Sequence, residues 1–292
     1  MDKIIVIVGP TGVGKTKLSI ALAKKLNGAI INADSRQIYK ELNIGTAKIT
    51  ETAKENIPHY LFDLKSVMED YSVFEYQQAG RQVIKQIFKQ KKTPIIVGGT
   101  GLYIKALLYD YQFKTEESDI NFDDYNNEKL YKMVKEINPA SNIHLHNRRR
   151  LINFLRRNNK LKNDYQGNQK LLYPVIFIGL TLPRDILYQE INARVDKMIK
   201  DGLIEEAKAL YNQNINSKVV LNTIGYQELY QYFTGRITKE EAIALIKQNS
   251  RRYAKRQYTW FNNQMTINWF LVDLQNFNNT ITAVMTYLNY HL

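Results

Sequence analysis

The chain contains no cysteine among its 292 residues. Disulfides, thiolate zinc sites and iron–sulfur clusters are thereby excluded. No apolar run approaches the roughly 20 residues a membrane-spanning helix requires. The first residues pass directly into an apolar strand, with no signal-like segment before it. These features together predict a soluble, cytoplasmic protein. Acidic residues are few: 28 Asp and Glu stand against 41 Lys and Arg, a net charge of +13. Between Glu136 and Asp164 there is none at all, although that window holds Arg148, Arg149, Arg150, Arg156, Arg157, Lys160 and Lys162. Such one-sided charge predicts a polyanionic partner larger than a small phosphate ligand. A solvated basic surface is the alternative.

Against these absences stands Gly9-Pro10-Thr11-Gly12-Val13-Gly14-Lys15-Thr16, which fits the phosphate-binding P-loop. The β-branched run Ile4 to Val8 before it predicts a buried strand. Leu18, Leu22 and Leu26 after it predict a helix. In that setting backbone N–H groups converge on an anion and the helix N-terminus adds partial positive charge. Lys15 supplies a full charge, and the Thr16 hydroxyl is a candidate Mg²⁺ ligand. The motif predicts a bound di- or triphosphate without naming a reaction.

A second strand, Ala29 to Ala33, leads into Asp34-Ser35-Arg36-Gln37. Residues past the carboxyl ends of parallel strands line the ligand crevice, so Asp34 is expected to face the same cleft as the P-loop. Its carboxylate could bind metal, act as a general base or cap the following segment. Ile38 to Thr46 reads as a loop with a short helix, and His59 to Leu64 as a third strand. A helix is predicted over 73–89. The strand Thr93 to Val97 ends in Gly98-Gly99-Thr100-Gly101, where a nucleotide hydrolase usually presents an acidic residue to hold the Mg²⁺ water shell. No guanine-reading motif is present either, so the P-loop is expected to serve something other than γ-phosphate hydrolysis. The two glycines allow close backbone approach, either to a ligand or in packing.

Residues 112–173 change character and read as a helical insertion in an α/β core formed by 1–111 and 174–292. Within the insertion, Leu151, Phe154 and Leu155 mark the apolar stripe of a basic helix. The core resumes with a strand from Pro174 and one long helix from Asp185 to Tyr211, which carries Arg194. A helical segment opens at Thr223, and another runs from Lys239 to about Phe261. There Arg251 and Lys255, and Arg252 and Arg256, form two i,i+4 pairs. Like charges at that spacing repel, so the stripe is easier to understand beneath an anion. A strand or linker from Ile267 and a helix over 280–288 close the chain.

These residues carry a resemblance. The P-loop, Asn32 to Tyr39 followed by Ile44 to Lys48, Val97 to Tyr103, Thr223 to Tyr226, and Arg252 to Gln257 with Trp260-Phe261 occur in order over nearly the whole chain. Together they resemble the tRNA dimethylallyltransferase family. The pattern departs within the insertion, where Leu145 and His146, and Asn153-Phe154, replace residues usual for the family.

The resemblance implies a P-loop NTPase-like parallel sheet flanked by helices, with a helical insertion domain that contacts tRNA. It implies transfer of a dimethylallyl group from dimethylallyl diphosphate to N6 of the adenosine 3′-adjacent to the anticodon, in tRNAs reading codons that start with U. The P-loop would then cradle a diphosphate leaving group, with Lys15, Arg194 and Mg²⁺ at Thr16 neutralising its charge and Asp34 as general base. Ser35, Arg36, Gln37 and Thr100 would contact the target nucleotide. Arg149, Arg150, Arg251, Arg252, Lys255 and Arg256 would grip the anticodon stem-loop, and the enzyme is expected to be a monomer. The alternatives are an adenylate isopentenyltransferase, a P-loop small-molecule kinase and a non-catalytic RNA-binding protein with a relic P-loop.

Overall fold

The computed structural model describes residues 3–112, 122, 124–158 and 170–291, with side chains omitted at 156–158. Lys160 and Lys162 of the basic window, and most of the polar stretch from Lys114 to Asn127, lie outside the described residues. In chain order the elements are β1 (Ile4–Val8), α1 (Lys15–Lys25), β2 (Gly28–Asn32), β3 (His59–Tyr60), α2 (Val73–Lys89), β4 (Thr93–Val97) and α3 (Gly101–Leu108). Then come α4 (Asn127–Ile137), α5 (Arg148–Asn158), β5 (Val175–Thr181), α6 (Arg184–Lys200), α7 (Leu203–Asn212), α8 (Lys218–Leu221), α9 (Tyr226–Phe233), α10 (Lys239–Gln264), β6 (Asn268–Leu271) and α11 (Phe277–His291).

The chain divides into two compact units, Met1–Tyr111 with Gln169–Leu292 and Gln112–Asn168. In the larger unit six strands form one sheet in the order β3-β2-β4-β1-β5-β6. Every pairing is parallel. All of β1 is buried, as its unbroken Ile/Val run requires of a central parallel strand covered on both faces. Successive side chains alternate between the two faces. Ile4, Val6, Val8 and Ile31 join Tyr76, Ile84, Ile104, Leu107, Leu203 and Tyr226 on one side. Ile5, Ile7, Ile30 and Ile95 join Leu18, Leu22, Phe277, Val284 and Leu288 on the other. Helices therefore cover both faces, and the P-loop emerges from the middle of the sheet. This is a P-loop NTPase-like α/β core.

The smaller unit packs α4 against α5 through Phe122, Leu130, Val134, Leu151 and Leu155. Arg148 donates to the carbonyls of Phe122 and Tyr125. The neighbouring Arg149 and Arg150 are exposed.

Two local expectations differ from what folds. The single helix expected from Asp185 to Tyr211 is two, α6 and α7, because the chain turns at Asp201-Gly202, where Gly202 has φ 104°. The short helix expected in 38–46 is a run of turns. Its backbone N–H groups at Asn43, Ile44 and Gly45 are taken by the Glu206 carboxylate at 3.0–3.1 Å instead of by helical carbonyls.

The ends of β2 and β4 meet most closely at Gly98. A Cβ there would lie 2.2 Å from the carbonyl carbon of Ala33. No rotamer relieves a clash with backbone, so Gly98→Ala is expected to lower the free energy of unfolding in urea by about 3 kcal/mol. A loss under about 1 kcal/mol would mean that the two strand ends can part.

Candidate active site

At the carboxyl edge of the sheet a cavity of about 910 Å³ opens beside the P-loop. Thr11, Gly12, Gly14, Lys15 and Thr16 line it, together with Asp34, Ser35, Arg36 and Gln37 past β2 and Gly98 and Thr100 past β4. Arg194 enters from α6, and Tyr253, Arg256 and Gln257 from α10. The expected site residues of the larger unit thus converge, with clear exceptions. Val13 is buried beneath the loop, and Gly9 and Pro10 serve through their carbonyls. Arg252 and Lys255 are exposed on α10 away from the cavity lining. Arg251 donates to Asn192 Oδ1 at 2.6 Å and lies 5.9 Å from the Tyr188 ring centroid, so its guanidinium is engaged within the protein.

Lys15 Nζ donates to the carbonyls of Gly9 (3.0 Å) and Pro10 (2.7 Å). Burial, then the nearby Arg194 charge, pull its pKa down to about 7, while Asp34 opposes the shift. Burial also lowers the pKa of Arg194, again against Asp34. Arg194 donates to the Thr46 carbonyl at 3.5 Å, and Gln37 Nε2 donates to the same oxygen at 3.0 Å. The turns that offer this carbonyl are the ones held by Glu206 on α7, which also accepts from the Tyr226 hydroxyl.

Asp34 is fixed from below. Asn32 is buried, accepts from Asp34 N–H at 2.8 Å and donates to the Asp34 carbonyl at 3.1 Å. Tyr76 donates to the Asn32 carbonyl at 2.9 Å. Asp34 Oδ1 accepts from Arg36 N–H at 2.9 Å, so one carboxylate oxygen closes a local turn. The Ser35 N–H donates to Thr100 Oγ1 at 3.0 Å, tying β2's end to β4's. Tyr253, also bonded to Thr100, has its phenol pushed up to about 12 by burial and the Asp34 charge. It is therefore a neutral donor throughout the neutral pH range.

Sequence reasoning missed three contributors. Glu206 falls inside the single helix expected from Asp185 to Tyr211 and reads there as an ordinary charged helix residue. Tyr253 stands among basic residues that drew attention first. Gln257, buried on α10, accepts from Thr11 N–H and donates to the Gly99 carbonyl, both at 3.1 Å. The polar strand end Gly98-Gly99 was a signal that something approaches closely there.

Among the described residues no group of three or more His, Cys, Asp or Glu could hold a metal ion. Mg²⁺ keeps several waters and is commonly bound by one or two protein oxygens plus substrate phosphates. Thr16, which carries a hydroxyl, is exposed and lines the cavity.

The arrangement brings the P-loop, two cationic side chains and a carboxylate to one cavity. A model of the IPP transferase family matches residues 37–264. The chain belongs to this family. Similar relatives include proteins named tRNA dimethylallyltransferase from Anoxybacillus flavithermus, 48% identical over 98% of this chain and 96% of the relative, and from Geobacillus kaustophilus, 47% identical with the same coverage. A solved tRNA isopentenylpyrophosphate transferase from Bacillus halodurans superposes with a TM-score of 0.78 at 39% identity, covering 99% of this chain and 96% of that one. A eukaryotic dimethylallyltransferase described as acting on tRNA gives 0.80 at 29% identity, covering 94% and 74%.

The burial and Arg194 charge that lower the pKa of Lys15 are countered by any anion bound beside it. Competitive acetylation read by mass spectrometry is expected to give Lys15 half-maximal reactivity near pH 7. Inorganic diphosphate with Mg²⁺ should suppress that reactivity, because an anion favours the protonated amine. Titration near the ordinary lysine value would contradict the assignment.

Proposed function

We propose that this protein transfers a dimethylallyl group from dimethylallyl diphosphate to N6 of the adenosine 3′-adjacent to the anticodon, in tRNAs reading codons that start with U. The products are N6-dimethylallyladenosine and diphosphate. The observation that carries this reading is the pairing of two half-buried cations, Lys15 and Arg194, with a single carboxylate, Asp34, in one cavity. A diphosphate leaving group needs the cations, and an amine nucleophile needs the carboxylate.

The P-loop N–H groups, Lys15 and Arg194 bind the diphosphate and stabilise the negative charge that grows as the carbon–oxygen bond breaks. Mg²⁺, held with the help of Thr16, would add charge neutralisation there. Asp34 takes the proton from the adenine amine as nitrogen attacks the allylic carbon. An exocyclic amine of adenine is a poor nucleophile, so orientation and proton removal both matter. Ser35, Arg36, Gln37 and Thr100 contact the target nucleotide, which leaves its stack to enter the cavity. Arg252, Lys255 and Arg256, with Arg149 and Arg150, supply the charge that grips the anticodon stem-loop, the insertion 112–173 contributing its share; Arg251, expected among them, is held by Asn192 instead. A tRNA substrate is the ground for a cytoplasmic location.

The free carboxylate oxygen of Asp34 is what the chemistry requires, since the other closes the turn to Arg36. Asp34→Asn keeps that turn and removes the base. It is expected to cut turnover by about 10²–10⁴-fold while tRNA affinity, measured by filter binding, is retained. Unchanged turnover would remove Asp34 from its role.

Arg252→Ala with Arg256→Ala is expected to reduce the slope of log binding constant against log salt by about 2 for the anticodon stem-loop. An unchanged slope would make these arginines an ordinary solvated face.

A further inference from the structure

Gln257 is a buried polar side chain for which the reaction has no step. It is 5% exposed, and both ends of its carboxamide are committed. Oε1 accepts from the N–H of Thr11 in the P-loop, and Nε2 donates to the carbonyl of Gly99. Gly99 leaves the room this needs: a Cβ there would lie 1.9 Å from Gln257 Nε2. The side chain thus bridges the ends of β1 and β4, which are neighbours in the sheet.

That junction has a defined use in P-loop proteins that bind triphosphates. The loop and its lysine cradle the β- and γ-phosphates, and the metal is shared with an acid on a hydrophobic strand. Here β4 ends in Gly98-Gly99, and a neutral carboxamide fills the space beside it. The Thr11 N–H is satisfied internally and is withdrawn from any further phosphate. Charge alone does not select two phosphates over three, because Lys15 and Arg194 attract the more highly charged anion more strongly. Selection has to come from shape and from which donors remain open.

We propose that Gln257 limits this P-loop to two phosphates, and so determines specificity for an organic diphosphate over a nucleoside triphosphate. The inference rests on the diphosphate-transferase reading and adds to it the residue that excludes the commoner P-loop ligand. A glutamine that only braced α10 against the sheet would, on removal, weaken the binding of all anions alike. A glutamine that fills the third-phosphate position changes the ratio between them.

The test is calorimetry of the full chain with inorganic diphosphate and with inorganic triphosphate, each with Mg²⁺, for the wild type, Gln257→Ala, Gln257→Asn and Lys15→Ala. The wild type is expected to prefer diphosphate by about tenfold or more, a difference that one misplaced hydrogen-bonded group supplies. Gln257→Ala should bring the ratio to about one or reverse it. Gln257→Asn, too short to bridge both partners, should move it the same way and stands in if the alanine variant does not fold. Equal binding of the two anions by the wild type overturns the proposal whether or not either variant folds. So does an unchanged ratio in a folded variant. Failure of the wild type to bind diphosphate, or unimpaired binding by Lys15→Ala, would instead overturn the diphosphate site itself.

Discussion

The site is organised by a charge imbalance built into the protein. Lys15 and Arg194 are half-buried at one cavity, and Asp34 is the acidic group that acts on both. Desolvation disfavours the charged form of each, and the Arg194 charge adds to the effect on Lys15. The fold compensates partly with backbone carbonyls: those of Gly9 and Pro10 for Lys15 and that of Thr46 for Arg194. A bound polyanion removes the remainder. The same preorganised charge is most effective when a leaving diphosphate gains negative charge, since no reorganisation is needed at that moment.

Holding such an arrangement requires supports on several elements. Glu206 on α7 gathers three backbone N–H groups and so fixes the turns that present the Thr46 carbonyl. Asn32, backed by Tyr76, fixes Asp34 at the end of β2. Helix α10 crosses the sheet's carboxyl edge and touches three strand ends: the P-loop and Gly99 through Gln257, and Thr181 through Tyr258. The same helix carries exposed Arg252 and Lys255 away from the cavity and exposed Arg256 at its lining. One element therefore joins a basic surface to the anion receptor, which suits an enzyme that brings a nucleic acid to a small diphosphate.

Much of this was legible in the sequence, for physical reasons. β1 is a continuous β-branched run and β4 is one interrupted by Pro94, and central parallel strands need such runs. The P-loop needs its glycines at fixed spacing. α2 and α10 begin with capping boxes, Ser72 with Glu75 and Thr238 with Glu241. The shared cleft of Asp34 and Lys15 followed from strand polarity alone. The unseen parts depended on distant partners. Nothing local marks Glu206 as the acceptor for a loop some 160 residues earlier. The glycines at 98 and 99 announced close approach, but their partners, Ala33 and Gln257, emerge only from the fold. The basic stripe on α10 looked uniform until Arg251 turned inward to Asn192. The break at Gly202 was hidden because apolar periodicity continues on both sides of it.

The central claim is that the P-loop receives an allylic diphosphate and the cavity receives a tRNA adenosine. The most direct measurement is transfer of radiolabelled dimethylallyl from its diphosphate, with Mg²⁺, to three acceptors. These are unmodified tRNA with adenosine 3′ to its anticodon, the same tRNA with guanosine at that place, and free AMP. The account predicts label in the first acceptor alone. Label in AMP, or in none of the three while RNA still binds, would contradict it.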